Sequence, residues 1–318
     1  MRRAAPLEGK SELMSIVLGI DGGGTNTRAA IAAGGKVIGQ SKNGSMKRLR
    51  VGAEAAEANL RAVLAEAVAQ AGVKHVDAAC CGVASVQMPG IPEWISAVLG
   101  DFGVARSEVV GDEIIALDAA FQGGPGILQI AGTGSNCVGR APDGSFETAG
   151  GWSSRLGDEG SGYWIGVNAV RRALHAFDRE QPCGVIPRVM ALWGTRDMGE
   201  FIDLGDSTPG PDFAALAPAI DALAEAGDAV ALSVLDQAAR DLVEFVLLVR
   251  AKLRRKHGVT VEVPVAWTGS VIGKMRLVRE RFVAGLKAAA PEMPVGVEEV
   301  AAIQGALWRA ERLARTVR

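Results

Sequence analysis

The chain has 318 residues, 48% of them hydrophobic, and 34 lysines and arginines against 36 aspartates and glutamates, for a net charge of −2. That length and apolar content suffice for two domains with cores of their own, and the balanced charge supplies no basic face for nucleic acid or a membrane surface. Small, roughly neutral ligands fit better, and the four cysteines (adjacent Cys80 and Cys81, isolated Cys137 and Cys183) form neither a CxxC pair nor, with three scattered histidines, a zinc spacing.

A reduced, cytoplasmic protein is therefore expected. Residues 1–13 are charged and lack a signal-peptide core, and no apolar run approaches the roughly 18 residues of a membrane span. The ordered chain is expected to begin near Met14.

Ser15 to Ile20 is a short β-branched apolar run, as in a buried strand, and it leads directly into "DGGGTNT", residues 21–27. A dinucleotide-binding turn would place a third glycine at 27, where Thr27 stands, and a P-loop would need a GK[ST] ending that is absent. Arg28 to Ala32, the Gly34-Gly35 turn pair and Lys36 to Gly39 instead read as a hairpin with a glycine-rich first loop. On this stretch alone, Gly22, Gly23 and Gly24 are either a tight bend or a ligand loop.

Further along, "SEVV" is a strand end, followed by Asp112 and the helically spaced Ile114, Ile115, Leu117 and Phe121. Asp112 thus sits at the carboxyl edge of a sheet, where α/β proteins bind ligands, and serves as helix N-cap, as a catalytic base, or as both. Residues 127–145, "ILQIAGTGSNCVGRAPDGS", then repeat the hairpin. An offset of 110 places Ile20 on Ile130, Gly22 on Gly132, Gly24 on Gly134, Thr25 on Ser135, Asn26 on Asn136 and Gly34 on Gly144.

A duplicated hairpin of this kind suits a polyphosphate. Glycine-exposed N–H groups with Thr and Ser hydroxyls can surround it from two sides, and Asp21 is placed to hold the water shell of Mg²⁺. The reading is a hinged ATP site.

In "GDEGSGYWIG" (157–166) Asp158 and Glu159 precede a helix expected from about Tyr163. They either favour the positive helix end or accept hydrogen bonds from vicinal sugar hydroxyls. Trp152 either stacks on a sugar ring or belongs to the core. Ala229 to Lys256 reads as a long helix whose basic end, "KLRRK", is a solvated terminus. A strand over Val259 to Trp267 runs into Thr268-Gly269-Ser270, where glycine lets a flat base or ribose approach the backbone. Val300 to Arg315 reads as a final amphipathic helix.

These motifs together resemble the actin, Hsp70 and sugar-kinase ATPases. The similarity is stronger to N-acetylglucosamine kinase and its relatives in the BadF/BadG/BcrA/BcrD ATPase family. The matching pieces run in order over nearly the whole chain: "DGGGTNT", "GDEIIALDAAF", "AGTGSN", "GGW", "GDEGSGYWIG", "TGS" and "QGAL". The resemblance implies two α/β domains of ribonuclease H-like, actin-like type, each with a mixed five-stranded sheet, closing over ATP and sugar about a central cleft. Their expected limits are 14–120 and 121–300, with helix 301–318 returning to the first domain.

It further implies roles residue by residue. Thr25 and Thr133 match phosphate-loop threonines, so Gly22, Gly23, Gly24, Thr25, Asn26, Gly132, Thr133 and Gly134 are expected to hold ATP. Gly269 and Ser270 match the adenosine turn. Ser135, Asn136, Gly151, Trp152, Ser153 and Asp158 match sugar contacts, and Asp112 matches the base that accepts the proton of a sugar hydroxyl. The expected activity is transfer of the γ-phosphate to the 6-hydroxyl of N-acetylglucosamine or a close analogue such as glucosamine or N-acetylmuramic acid. A homodimer is expected.

One position departs from the pattern. Related kinases carry a sugar-contacting asparagine before the glycine that opens the next helix, and in "KNGSMKRLRVG" (42–52) that position is Lys47. Either the loop is merely solvated, or a cation such as Lys47 recognises an anionic sugar substituent. Two alternatives belong to other function classes. An ATPase activator of a CoA-linked dehydratase or reductase would need paired cysteines for an iron–sulfur cluster. A non-catalytic sugar sensor would dispense with Asp21 and Asp112.

Overall fold

The structure, a computed structural model, describes residues 15–316; the expected frayed start at 1–13 lies outside the described residues. β1 (Ile16–Gly22), β2 (Asn26–Ala33) and β3 (Lys36–Gly44) form an antiparallel meander. α1 (Arg48–Val51), α2 (Ala53–Ala71), β4 (Ala78–Val83), α3 (Ile91–Asp101), β5 (Ser107–Val110) and α4 (Asp112–Phe121) follow. The sheet order is β3-β2-β1-β4-β5, with β1, β4 and β5 parallel.

The same plan recurs downstream. β6 (Gly126–Ala131), β7 (Ser135–Arg140) and β8 (Phe146–Gly150) are a second meander. After it come α5 (Gly162–Asp178), α6 (Val185–Trp193), α7 (Met198–Gly205), α8 (Ala217–Glu225), α9 (Ala229–His257), β9 (Val265–Thr268), α10 (Ser270–Lys274), α11 (Arg276–Ala289), β10 (Val295–Glu299) and α12 (Ala302–Arg315). Sheet order β10-β9-β6-β7-β8 matches the first strand for strand, the duplicated α/β plan the sequence implied. The described chain divides into two compact units, one running to Ile115 and resuming at Ile303, the other spanning Ala116–Ala302.

In the first unit every residue of β4 is buried, which is why "AACCGV" is an uninterrupted apolar run rather than an alternating one. Leu60, Val63, Leu64 and Ala67 of α2 recur at helical spacing and join the same core as Leu18, Ile20 and Ile31 of the meander. α12 is tied to this unit by Arg309 on Glu108, and by Arg106 donating to the Leu313 carbonyl at 2.9 Å. In the second unit α9 supplies the apolar spine, with Val234, Leu235, Ala238, Leu242, Val246, Val249 and Leu253 all buried. No helix among the described residues is long and apolar enough to cross a membrane.

Three expectations are corrected. The two hairpins are not in register throughout. Ile20 pairs with Ala29, nine residues on, whereas Ile130 pairs with Asn136, only six on. The glycine loop of the second half is three residues tighter, and Ala29 rather than Asn26 takes the place of Asn136. The next turn restores the offset, because Ala33 pairs with Lys36 while Arg140 pairs with Phe146. Second, the strand expected over Val259–Trp267 is confined to Val265–Thr268: Val259 N–H still caps α9 through the Leu253 carbonyl, and Glu262 is drawn to Arg250 and Arg254. Third, the basic end of α9 is not simply solvated. Lys256 pairs with Glu147 of β8 at 3.0 Å and Lys252 reaches the Thr148 carbonyl, so the charges fasten the helix to the sheet.

Candidate functional site

In the first unit the loop between β1 and β2 is built from both sides. Asp21 pairs in register with Arg28 on β2 and with Gly82 on β4, and Gly22 passes so close to Met46 and the Gly82 carbonyl that a Cβ would fall 2.6 Å from Met46 Sδ. Gly24 has nothing within 4 Å of such a Cβ, so its missing side chain leaves open space beside the backbone. Thr25 and Asn26 are exposed at the tip of this loop. Thr27 turns inward: its buried hydroxyl accepts from Met46 N–H at 3.1 Å, fixing the next loop against this one.

Asp21 is only 18% exposed and has the Arg28 guanidinium 3.9 Å away. Burial pushes its carboxyl up to about 6, against the pull of Arg28 and with a further push from the like charge of Asp112. Asp112 therefore lies within electrostatic reach of the glycine loop. It opens α4 but does not cap it; the Gly111 carbonyl accepts from Ile114 and Ile115 N–H, so Gly111 holds the cap position. Glu113, unremarked in the sequence, hydrogen-bonds Asp112, and burial raises its carboxyl to about 7.

The basic segment is partly committed. Arg48 stacks on Trp94 at 3.9 Å, and Arg50 donates to the Gly24 carbonyl at 3.3 Å. Lys47 precedes α1, with its N–H on Ser45 Oγ and that hydroxyl in turn on the Gly23 carbonyl at 3.4 Å. Its ammonium group makes no hydrogen bond or ion pair among the described residues.

In the second unit the Gly132 and Thr133 carbonyls accept from Gly162 and Tyr163 N–H, which docks the loop on the first turn of α5; Ser161 caps that helix through Trp164 N–H. The Thr133 side chain is exposed. Ser135 is buried and donates to the Glu159 carbonyl at 2.7 Å, so its hydroxyl proton is committed to the loop. Asp158, 8% exposed, has its carboxylate against Gly134. Asn136 faces Gly150 across the sheet, with its side chain against Gly151, and its Oδ1 is buried without a partner. An orphaned acceptor of this kind suits a ligand hydroxyl.

Gly150, Gly151, Ser153, Asp158 and Gly160 all have positive φ, with Ser153 at 101°. For the glycines such angles are ordinary, but Ser153 and Asp158 are held in conformations that side-chain-bearing residues rarely adopt, as happens in functional loops. Trp152 is 76% exposed, which corrects the core alternative and leaves its ring available for stacking. Gly269, at φ 108°, lies on the Ala131 carbonyl, and Ser270 adjoins Gly132, so the expected adenosine turn abuts the second glycine loop. Glu299, also missed in the sequence, accepts from Gly269 N–H at 3.3 Å.

The structure thus gathers Asp21, the first glycine loop, Asp112 and the Lys47 segment in one unit. It gathers the second loop, Asn136, the 150–158 segment and Gly269-Ser270 in the other. Thr27, Ser45 and Glu113 escaped sequence reading because their part depends on which side chains fold back onto a loop. No group of three or more His, Cys, Asp or Glu among the described residues is arranged to hold a metal. Mg²⁺ does not need one, since it binds through one or two carboxylates with phosphate oxygens and water. Asp21, a buried acid under pressure to shed its charge, fits that duty. Cys80 and Cys81 are fully buried, and as successive residues of β4 they point to opposite faces, which leaves them no shared cluster ligand role.

Two sheets of identical order, each with a glycine-rich hairpin on its central strand, define the actin-like sugar-kinase fold. Residues 18–308 match the BadF/BadG/BcrA/BcrD ATPase family, and the chain belongs to it. It is 29% identical over 277 residues to an N-acetylmuramic acid/N-acetylglucosamine kinase of Clostridium acetobutylicum, covering 85% of this chain and 89% of that one. It is 27% identical over 247 residues to the glucosamine kinase GspK of Vibrio cholerae, covering 75% and 82%. A solved structure from Chromobacterium violaceum, named as a candidate N-acetylglucosamine kinase, superposes with a TM-score of 0.73 at 26% identity over 92% of this chain and 98% of that one.

Proposed function

We propose that the protein is an ATP-dependent amino-sugar kinase that phosphorylates the 6-hydroxyl of N-acetylglucosamine or a close analogue. The observation that carries the reading is the placement of Asp112 at the mouth of α4, close enough to Asp21 and the first glycine loop for its charge to be felt there. A carboxylate beside a phosphate loop is what an alcohol acceptor needs. The sugar oxygen bonds to the γ-phosphorus, the bond to the β–γ bridging oxygen breaks, and the hydroxyl proton passes to Asp112. Because the transition state is loose, aligning the hydroxyl matters more than the strength of the base.

Gly22 to Asn26 and Gly132 to Gly134 are assigned to the phosphates, Gly269 and Ser270 to the adenosine. The orphaned Oδ1 of Asn136, the Asp158 carboxylate and the exposed Trp152 ring support a sugar contact in the second unit. Asp21 is the residue to hold Mg²⁺, which when bound offsets the negative charge on the β- and γ-phosphates. The names of the similar proteins agree with an amino sugar as acceptor. The proposed setting is a cytoplasmic homodimer.

An ATP-coupled assay across glucose, glucosamine, N-acetylglucosamine, N-acetylmannosamine and N-acetylmuramic acid tests the reading. Turnover is expected with at least one amino sugar, well above glucose; no turnover with any would overturn it. Asp112→Asn should lower kcat by about 10² to 10⁴ while nucleotide affinity stays within a few-fold.

A further inference from the structure

We propose that Glu113 is a positioning residue for Asp112: its carboxyl group, folded back over Gly111, holds the Asp112 carboxylate in its reactive orientation through a proton shared between the two acids. The inference rests on the reading of Asp112 as the base.

The geometry begins with the absent side chain at position 111. A Cβ there would stand 2.1 Å from Glu113 Oε1 and 2.4 Å from both Cδ and Oε2, so the Glu113 carboxyl fills the volume that any other residue at 111 would occupy. From that position it hydrogen-bonds the Asp112 side chain, while Glu113 N–H donates to Asp112 Oδ1 at 3.1 Å. Asp112 is thus gripped from one residue by a main-chain and a side-chain group. Two carboxyl groups in contact do not both ionise readily, and the proton they retain makes one of them a donor. Burial makes Glu113 that donor. The charged group acting on Glu113 is Asp112; Asp112 in turn faces Asp21 of β1, with Arg28 of β2 beside it. A carboxylate pinned in this way spends less time in unproductive rotamers, and small losses of alignment carry large rate penalties.

Three variants test the idea in the intact chain, with melting temperature recorded for each. Glu113→Ala is expected to lower kcat about tenfold or more, with both KM values within about twofold. Glu113→Gln, whose amide still donates, is expected to recover kcat to within about threefold of the parent protein. It should also lack the decline of activity expected of the parent as Glu113 ionises above about pH 7. Gly111→Ala should reproduce the Glu113→Ala kinetics, because its methyl group expels the carboxyl. A kcat for Glu113→Ala within about twofold of the parent, or an unaltered alkaline decline in Glu113→Gln, would overturn the proposal. If Glu113→Ala does not fold, the Gly111→Ala kinetics decide it by the same limits. Asp112→Asn separates the two levels. Should it retain turnover, the base reading fails and this inference with it; should it be inactive while Glu113→Ala is not, only the positioning role fails.

Discussion

The carboxylate of Asp158 lies against Gly134, where a Cβ would fall 2.7 Å from Oδ2. Asp158 has little freedom to move away: it is 8% exposed and its φ is 57°. Gly134→Ala therefore acts on Asp158 without touching it chemically. If that carboxylate grips the sugar, the variant should raise the sugar KM about tenfold, equivalent to about 1.4 kcal/mol. Steady-state kinetics with each substrate varied gives the answer, and an unchanged sugar KM would detach Asp158 from sugar binding.

Gly269 offers a test of the second loop. Its φ of 108° and the 2.4 Å separation of a notional Cβ from the Ala131 carbonyl combine a backbone conformation that favours glycine with a contact against immovable main chain. Gly269→Ala is expected to cost on the order of 3 kcal/mol and to lower the melting temperature by roughly 5 °C or more. It should also weaken nucleotide binding, because the displaced backbone is that of the Ala131–Gly132 loop. A melt and a nucleotide titration of the same sample check both.

What the sequence revealed was whatever local pattern encodes. The two strand-plus-glycine hairpins, the long helix ending at His257, the helix opening just after Ser161 and the place of Asp112 at a strand end all follow from periodicity and turn residues. The slipped register did not, because a loop shortened by three residues is followed by a turn lengthened by three, and the equal offsets on either side conceal both changes. Nor did the commitment of Ser135 to Glu159, or the closure of Glu113 over Gly111. Those depend on which side chain reaches a loop from another part of the unit. Trp152 was ambiguous for a related reason: the positive-φ glycines Gly150 and Gly151 that precede it carry the chain outward, and residue type alone does not show where they lead.

Asp21 should leave a signature in stability. Burial raises its carboxyl from 3.8 in the unfolded chain to about 6, so the native state holds the proton more tightly than the unfolded state does. The stability this confers is complete below about pH 4 and lost as pH climbs through about 6, a decline on the order of 3 kcal/mol. Asp21→Asn removes the buried charge. In EDTA it should be more stable than the parent by about that amount at pH 7.5 and no more stable at pH 3.5, while its kinase activity falls. Urea unfolding at the two pH values measures the difference. Equal offsets at both would show that the gain does not come from titration of Asp21.

Lys47 is the residue proposed to set the acceptor preference. Of the cations that follow β3, Arg48 is spent on Trp94 and Arg50 reaches the Gly24 carbonyl, whereas the Lys47 ammonium has no hydrogen-bond or ion-pair partner among the described residues. Its Cα is fixed all the same, since its N–H is held by Ser45, whose hydroxyl donates to the carbonyl of Gly23 within the first glycine loop. A positive charge so anchored attracts a carboxylate on the sugar and is indifferent or repulsive to a free amine. Lys47→Ala should therefore lower kcat/KM for N-acetylmuramic acid about tenfold while that for N-acetylglucosamine stays within about twofold, and Lys47→Glu should move the preference further, toward glucosamine. Because the group is partly exposed, the selectivity of the parent protein should also shrink at high salt. Equal effects of Lys47→Ala on the acidic and the neutral sugar would remove Lys47 from substrate selection and leave it as the residue that leads into α1.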